Sequence, residues 1–215
     1  LVSKVEICNN ALQNLGAGKI TSITENTVEA IECNLRYDTA RRALLSMHPW
    51  NFAIRRALLN ADVTAPAFNY SYAYTLPSDF LGLVMTSLEE QYQSPHPQVV
   101  NSPLYTSDVS SYGGIDKYRL ERGDDGTLKL LSYESGVGIV YISDVEDEQS
   151  FSPTFTDLMA RYLSALIAYK ITGNMLERNT QMEIFKLELA DFVSIDSQQG
   201  VFDRLEVSQF LSARL

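Results

Sequence analysis

Two cysteines and two histidines carry the metal-ligating and near-neutral proton chemistry available to this chain. Cys8 and Cys33 each fall inside a helical pattern and form no CxxC pair, whereas zinc sites are built from ligands in close local pairs. His48 sits against Pro49 at a helix end, and His96 lies between Pro95 and Pro97 in a loop-like stretch. The four residues do not converge by spacing, so no metal site is expected. Two buried, reduced thiols are the expected state of Cys8 and Cys33.

Carboxylates are the next candidates. Glycoside hydrolysis needs one acid with a raised pKa and a second carboxylate facing it across a cleft. Glu25, Glu29 or Glu32 with Asp79 is the pairing that comes nearest, and helix capping and surface pairing account for the same residues. Asp144, Glu146, Asp147 and Glu148 form an acidic cluster without the ordered spacing and bend glycine of a calcium loop, so a solvated loop is expected. Gly16-Ala17-Gly18-Lys19 has glycines and a lysine but no preceding strand and no GxxxxGK[ST] spacing, and reads as a helix stop followed by a turn. Phe68, Tyr70, Tyr72 and Tyr74 alternate as on one face of a strand. Such a face could stack bases or sugars, but little positive charge lies nearby, and a face packed on the core is the expected use. No catalytic, cofactor-binding or metal residue is expected, and no cofactor.

The composition agrees. A chain of 215 residues with 45% apolar residues is long enough for a full core, and a formal charge of −10 argues against general nucleic-acid binding, which depends on clustered Lys and Arg. The sequence has no apolar run of the roughly 18 residues that a membrane helix needs, and its start lacks a basic region followed by an apolar run. A soluble protein made in the cytoplasm, without a membrane partner, is the expectation.

Helical spacing covers Ser3 to Leu15, with Ser3 as N-cap, and again about Asn26 or Thr27 to Met47, with Val28, Ile31, Leu35, Leu44 and Met47 as the expected inner face. Glu32 with Arg36 and Asp38 with Arg42 are i,i+4 pairs in the favourable order on the outer face. Pro49 stops this helix, and the single tryptophan, Trp50, follows with Phe52. Large apolar groups at a helix exit serve packing and docking, so Trp50 and Phe52 are expected to be structural and Trp50 buried. Arg41, Arg55 and Arg56 are the candidate contacts for an acidic partner.

From Asn51 to Val145 the pattern changes to short extended runs: a strand over Ala67 to Tyr74, a turn or short helix from Leu76 to Phe80, and a polar excursion from Gln91 to Gly114. A hairpin over Lys117 to Ser132 turns on Gly123-Asp124-Asp125-Gly126, and a buried central strand covers Val137 to Val145. Helices then run from Pro153 to about Gly173 or Asn174 and from about Thr180 to Ser194. Gly200 is expected to break the chain before an apolar-rich tail, Val201 to Leu215. The tail either returns to the core or docks elsewhere as an arm through Phe202, Leu205, Phe210 and Leu211. The predicted class is α+β: a helical bundle from the two ends (1–50 and 151–199), a β-rich insertion (51–150) and a C-terminal arm (200–215).

In this order, Asn10-Ala11-Leu12-Gln13-Asn14-Leu15-Gly16, the Tyr37 to Leu45 helix, Pro49-Trp50-Asn51-Phe52-Ala53, Ala57-Leu58-Leu59 and Tyr74-Thr75-Leu76-Pro77-Ser78-Asp79-Phe80-Leu81 resemble the tail tubular protein A family, the head-to-tail adaptors of short-tailed bacteriophages. The segments Phe155 to Gly173 and Thr180 to Ser197 look like that family's carboxyl half. Gln91 to Gly114 has no counterpart. The resemblance implies a structural protein of the virion neck that contacts the portal protein and the tail nozzle protein. It further implies a twelve-membered ring of copies through which DNA passes without sequence-specific binding. A tail-associated peptidoglycan hydrolase is the rival reading.

Overall fold

The computed structural model describes residues 2–87, 118–123 and 125–200. The predicted excursion from Gln91 to Gly114, His96, Lys117, Asp124 and the tail from Val201, with Phe202, Leu205, Phe210 and Leu211, lie outside the described residues. The architecture is α+β, with helices from both ends of the chain and two small antiparallel sheets between them.

Helix α1 (Lys4–Asn14) begins at Ser3, whose hydroxyl accepts the Glu6 amide, as expected. It ends in a Schellman arrangement: Gly16 takes a left-handed φ of 67°, and the Gly16 and Ala17 amides donate to the Gln13 and Leu12 carbonyls. The Gly16-to-Lys19 stretch is therefore a helix stop. Helix α2 (Val28–Met47) is capped by Thr27, α3 (Pro153–Thr172) by Ser152 with Pro153 in its first turn, and α3 closes at the left-handed Gly173. Helix α4 (Met175–Gly200) is longer than predicted at both ends. Its first turn carries the exposed Met175 and Leu176, which give no inward stripe to read, and the Asn174 side chain accepts the Leu176 amide. Gly200 is its last residue, and the residues after it lie outside the described ones.

Helix α3 is the hub, packing on α1, α2 and α4. Tyr162 stacks on Phe185 at 4.6 Å, Arg161 pairs with Glu188 at 3.2 Å, and the buried Gln181 donates to the Asn14 carbonyl, joining α4 to the end of α1.

The insertion folds as two three-stranded antiparallel sheets, each ordered around a late strand. Strands β1 (Ile54–Leu59) and β3 (Phe80–Thr86) flank β6 (Val137–Ser143), while β2 (Tyr72–Thr75) and β4 (Tyr118–Arg122) flank β5 (Leu128–Ser132). Strand β6 is paired on both sides and its residues are buried or half-buried throughout, which explains its nearly continuous apolar run. The β4–β5 hairpin turns at Gly126, whose φ of 78° supplies the left-handed residue expected there. The first sheet has helices against one end of one face, where Ile54, Val84, Val140 and Ile142 join the bundle core. A second core, with Leu59, Tyr74, Leu83, Leu130, Val137, Ile139 and Tyr141, lies between the sheets.

Two sequence expectations change here. The aromatic alternation from Ala67 to Tyr74 is a strand only at its end: Asn69 takes a positive φ of 70°, Phe68 is exposed, and Tyr70 leans on Tyr133 at 4.9 Å. Only Tyr74 is fully buried, its hydroxyl donating to the Glu134 carbonyl at 2.6 Å and accepting the Gly136 amide at 2.9 Å. Leu76 to Phe80 is a turn, closed by the Phe80 amide on the Pro77 carbonyl.

The second change is the face of α2. Its buried residues are Ala30, Cys33, Tyr37, Ala40, Arg41, Leu44 and Leu45. Of the predicted inner face only Leu44 is inside; Val28, Ile31, Leu35 and Met47 are 58%, 49%, 64% and 44% exposed. Small side chains at Ala30, Cys33 and Ala40 allow close packing on that face. Reading the larger aliphatics as the inner stripe therefore selected the wrong side in the helix's first half.

Candidate functional site

The residues that the sequence singled out fall into three places. The first is the junction after α2. Trp50 is fully buried, its indole N–H donates to the Leu44 carbonyl at 3.0 Å, and its ring meets Phe155 edge-on at 5.3 Å and His48 at 4.9 Å. Phe52 extends the cluster, 4.9 Å from Phe155 and 5.7 Å from Phe151. Trp50 is thus a structural core residue, as expected, and Phe52 packs against the same core. His48, which spacing alone gave no role, lies 3.1 Å from the buried Asp196 carboxylate of α4. The Asn51 amide donates to the same carboxylate oxygen and the Asn51 side chain donates to the Asp196 carbonyl. Burial of the ring pulls the His48 pKa below its usual range, with the Asp196 hydrogen bond acting the other way.

The second place is Arg41, which must be withdrawn as a candidate partner contact. It is 4% exposed, its guanidinium donates to the Asp144 carboxylate and, at 2.6 Å, to the Val145 carbonyl, and Asp38 lies 3.9 Å away. Arg42 reaches the same Asp144 at 3.1 Å, while Asp38 meets Lys4 at 3.5 Å, so Asp38 and Asp144 draw their partners from several elements and not from the simple i,i+4 ladder. The acidic segment is correspondingly less solvated than expected. Asp144 neutralises two arginines, Glu148 accepts the Tyr37 hydroxyl, the exposed Asp147 caps the turn Glu148–Ser150, and Glu146, 82% exposed, lies 3.9 Å from the Arg41 guanidinium. Arg55 and Arg56 remain exposed on β1; Arg55 donates to the Ser143 hydroxyl at 3.1 Å and lies 3.8 Å from Asp79.

The third place is a surface groove of about 390 Å³ between the α1–α2 loop and α2, lined by Ile23, Thr24, Glu25, Asn26, Ile31, Asn34 and Leu35. Glu25 accepts the Thr21 hydroxyl and the Thr21 and Ser22 amides, which together hold its carboxyl below the usual range. A general acid for glycoside cleavage requires the opposite shift. Asp79, its suggested counterpart, does not line this groove; it accepts the Tyr141 hydroxyl at 3.1 Å beside Arg55. Glu29 and Glu32 stand on α2 next to the groove without lining it.

Cys8 and Cys33 are both buried free thiols, facing each other across α1 and α2; the hydrogen bond to Cys33 and burial push the Cys8 thiol far above its usual range, so it stays protonated. Among the described residues, no three His, Cys, Asp or Glu side chains are grouped to hold a metal ion. No helix among them is long and apolar enough to cross a membrane.

The features that sequence reasoning missed are the Asp196 latch and the exposed α2 stripe. The latch joins residues far apart in sequence and leaves no local pattern, whereas Val28, Ile31 and Leu35 were legible as a stripe but assigned to the interior. No protein-family model matches the chain, and comparison with curated proteins finds no similar one.

Proposed function

We propose that this chain is a structural head-to-tail adaptor of a short-tailed bacteriophage, a ring component of the virion neck that joins the portal protein to the tail nozzle protein. The observation that carries the reading is the order of the segments resembling tail tubular protein A, together with a bundle formed by both ends of the chain around a β insertion. The exposed apolar residues on α2 and the internal use of Arg41, Asp144, His48 and Asp196 are consistent with a part that works through its surfaces. Twelve copies at a formal charge of −10 each would carry about −120, so DNA would pass such a channel without being held by its phosphates.

Electron microscopy of the chain alone and mixed with its portal protein tests this reading. Twelve-fold rings seated on the portal are the expected result, and a chain that neither binds the portal nor forms rings at saturating portal concentration overturns it. The rival, a peptidoglycan hydrolase, predicts glycan release above that of a heat-killed control, abolished by Glu25→Gln or Asp79→Asn.

A further inference from the structure

The exposed stripe on α2 is bordered by charges that the chain leaves without a partner. At 3.6 residues per turn, Val28, Ile31 and Leu35 fall within a sector of roughly 60° of the helix surface, and the exposed Thr39 continues their line. Glu29, Glu32 and Arg36 stand together on one flank of that line. The sequence reads Glu32 and Arg36 as an i,i+4 pair, but among the described residues none of the three makes an ion pair or a hydrogen bond. The other charges around the stripe are used within the chain: Asp38 meets Lys4 and Arg41, Arg42 meets Asp144, and Glu25 accepts from Thr21 and Ser22.

A face with an apolar stripe and one flank that is acidic at its start and basic at its end is complementary to itself. When two such helices lie antiparallel, the same flank of each faces the other. With Ile31 of one copy level with Leu35 of the second, Val28 comes level with residue 38, beside Thr39. Arg36 of the second copy then comes level with residue 30, between Glu29 and Glu32, and the two-fold axis repeats the match. The groove beside Ile31 and Leu35 gives room at that level for a side chain of the second copy. A uniformly basic segment on this face would leave Arg36 opposed, and a uniformly acidic one would leave Glu29 and Glu32 opposed.

We propose that two copies of this chain pair through α2, antiparallel, with Val28, Ile31 and Leu35 as the shared apolar seam and Arg36 of each copy between Glu29 and Glu32 of the other. One helix face is small beside the area that a stable pair buries, so the pair is dissociated at a few micromolar and forms on the order of 100 µM. A two-fold contact closes on itself and builds no ring, so the proposal concerns the free chain and does not rest on the adaptor reading.

Sedimentation of the full-length chain at low salt from about 5 to 500 µM tests it. A monomer–dimer equilibrium is expected, abolished by Ile31→Asp with Leu35→Asp. Arg36→Glu makes the flank wholly acidic, and Glu29→Arg with Glu32→Arg makes it wholly basic; each is expected to weaken pairing at least tenfold. An equimolar mixture of these two variants is expected to pair at least as tightly as the parent, because every facing charge is then opposite. The five substituted side chains are exposed or half-exposed, so the variants retain the fold, which a thermal melt checks. A chain that stays monomeric to the highest concentration overturns the proposal, as does pairing that survives Ile31→Asp with Leu35→Asp. A mixture of the two charge variants that does not pair also overturns it.

Discussion

His48 and Asp196 meet where the exit of α2 and the end of α4 converge, with Nε2 3.1 Å from the carboxylate and the Trp50 ring edge-on to the imidazole at 4.9 Å. This contact fixes the end of α4 to the exit of α2 and makes the junction sensitive to protonation. Burial lowers the His48 pKa in the fold below its ordinary 6.5, so the unfolded chain takes up the proton first as pH falls. The His48 contribution to stability is therefore complete above pH 6.5 and decreases as pH drops from there to the lower folded pKa. His48→Gln should flatten the stability profile across that window while leaving the slope above pH 7.5 unchanged. Urea denaturation at a series of pH values reads this, and identical slopes for the two chains between pH 5.5 and 6.5 would contradict it.

Trp50→Ala should cost about 3 to 5 kcal/mol, the range for emptying a large buried aromatic site. The indole is fully buried against Phe155 and also donates to the Leu44 carbonyl, so truncation leaves both a cavity and an unpaired acceptor. Trp50→Phe, which keeps much of the volume and loses the donor, should cost less than half as much. A thermal melt within 2 °C of the parent for Trp50→Ala would show that the ring does not support the junction.

Arg41 is a buried cation whose stabilising role depends on Asp144, so the losses from removing each should not add. Arg41→Met should cost on the order of 3 kcal/mol by leaving Asp144 with Arg42 only, a partner that is itself 59% exposed. Combined with Asp144→Leu the loss should be clearly less than the sum of the single losses, giving a coupling of about 1 to 3 kcal/mol. Additive losses in chemical denaturation would mean that the contact is not energetically linked.

Much of the fold was legible because its signals are local. Ser3, Thr27 and Pro153 mark helix starts, Gly16, Gly126 and Gly173 mark the stops and the hairpin turn, and the run in β6 identifies a strand covered on both faces. What was not legible depends on which surfaces meet. Arg41 has the sequence context of a solvated helix residue, and only the return of Asp144 and Val145 to α2 makes it internal. The Tyr and Phe alternation before β2 satisfies the period of a strand, but Asn69 turns the backbone before the pattern can be used. The pairing of His48 with Asp196 spans most of the chain and has no local signature.

The two faces of α2 give the sharpest check, because the sequence pattern places Leu35 and Leu44 on one inner face and the packing separates them. Leu35 and Leu44 have the same side chain on one helix, with Leu35 64% exposed and Leu44 fully buried. Leu44→Ala should cost about 2 to 5 kcal/mol, since it removes buried methyl groups and leaves a cavity. Leu35→Ala should change stability by no more than about 0.5 kcal/mol in a chain ending at Gly200, because alanine is the better helix former and no packed neighbour is lost. Denaturant titrations of that chain and its two variants decide the point. Equal costs for Leu35→Ala and Leu44→Ala in the shortened chain would return the aliphatic stripe to the interior, and would mean that α2 presents a different face to α3.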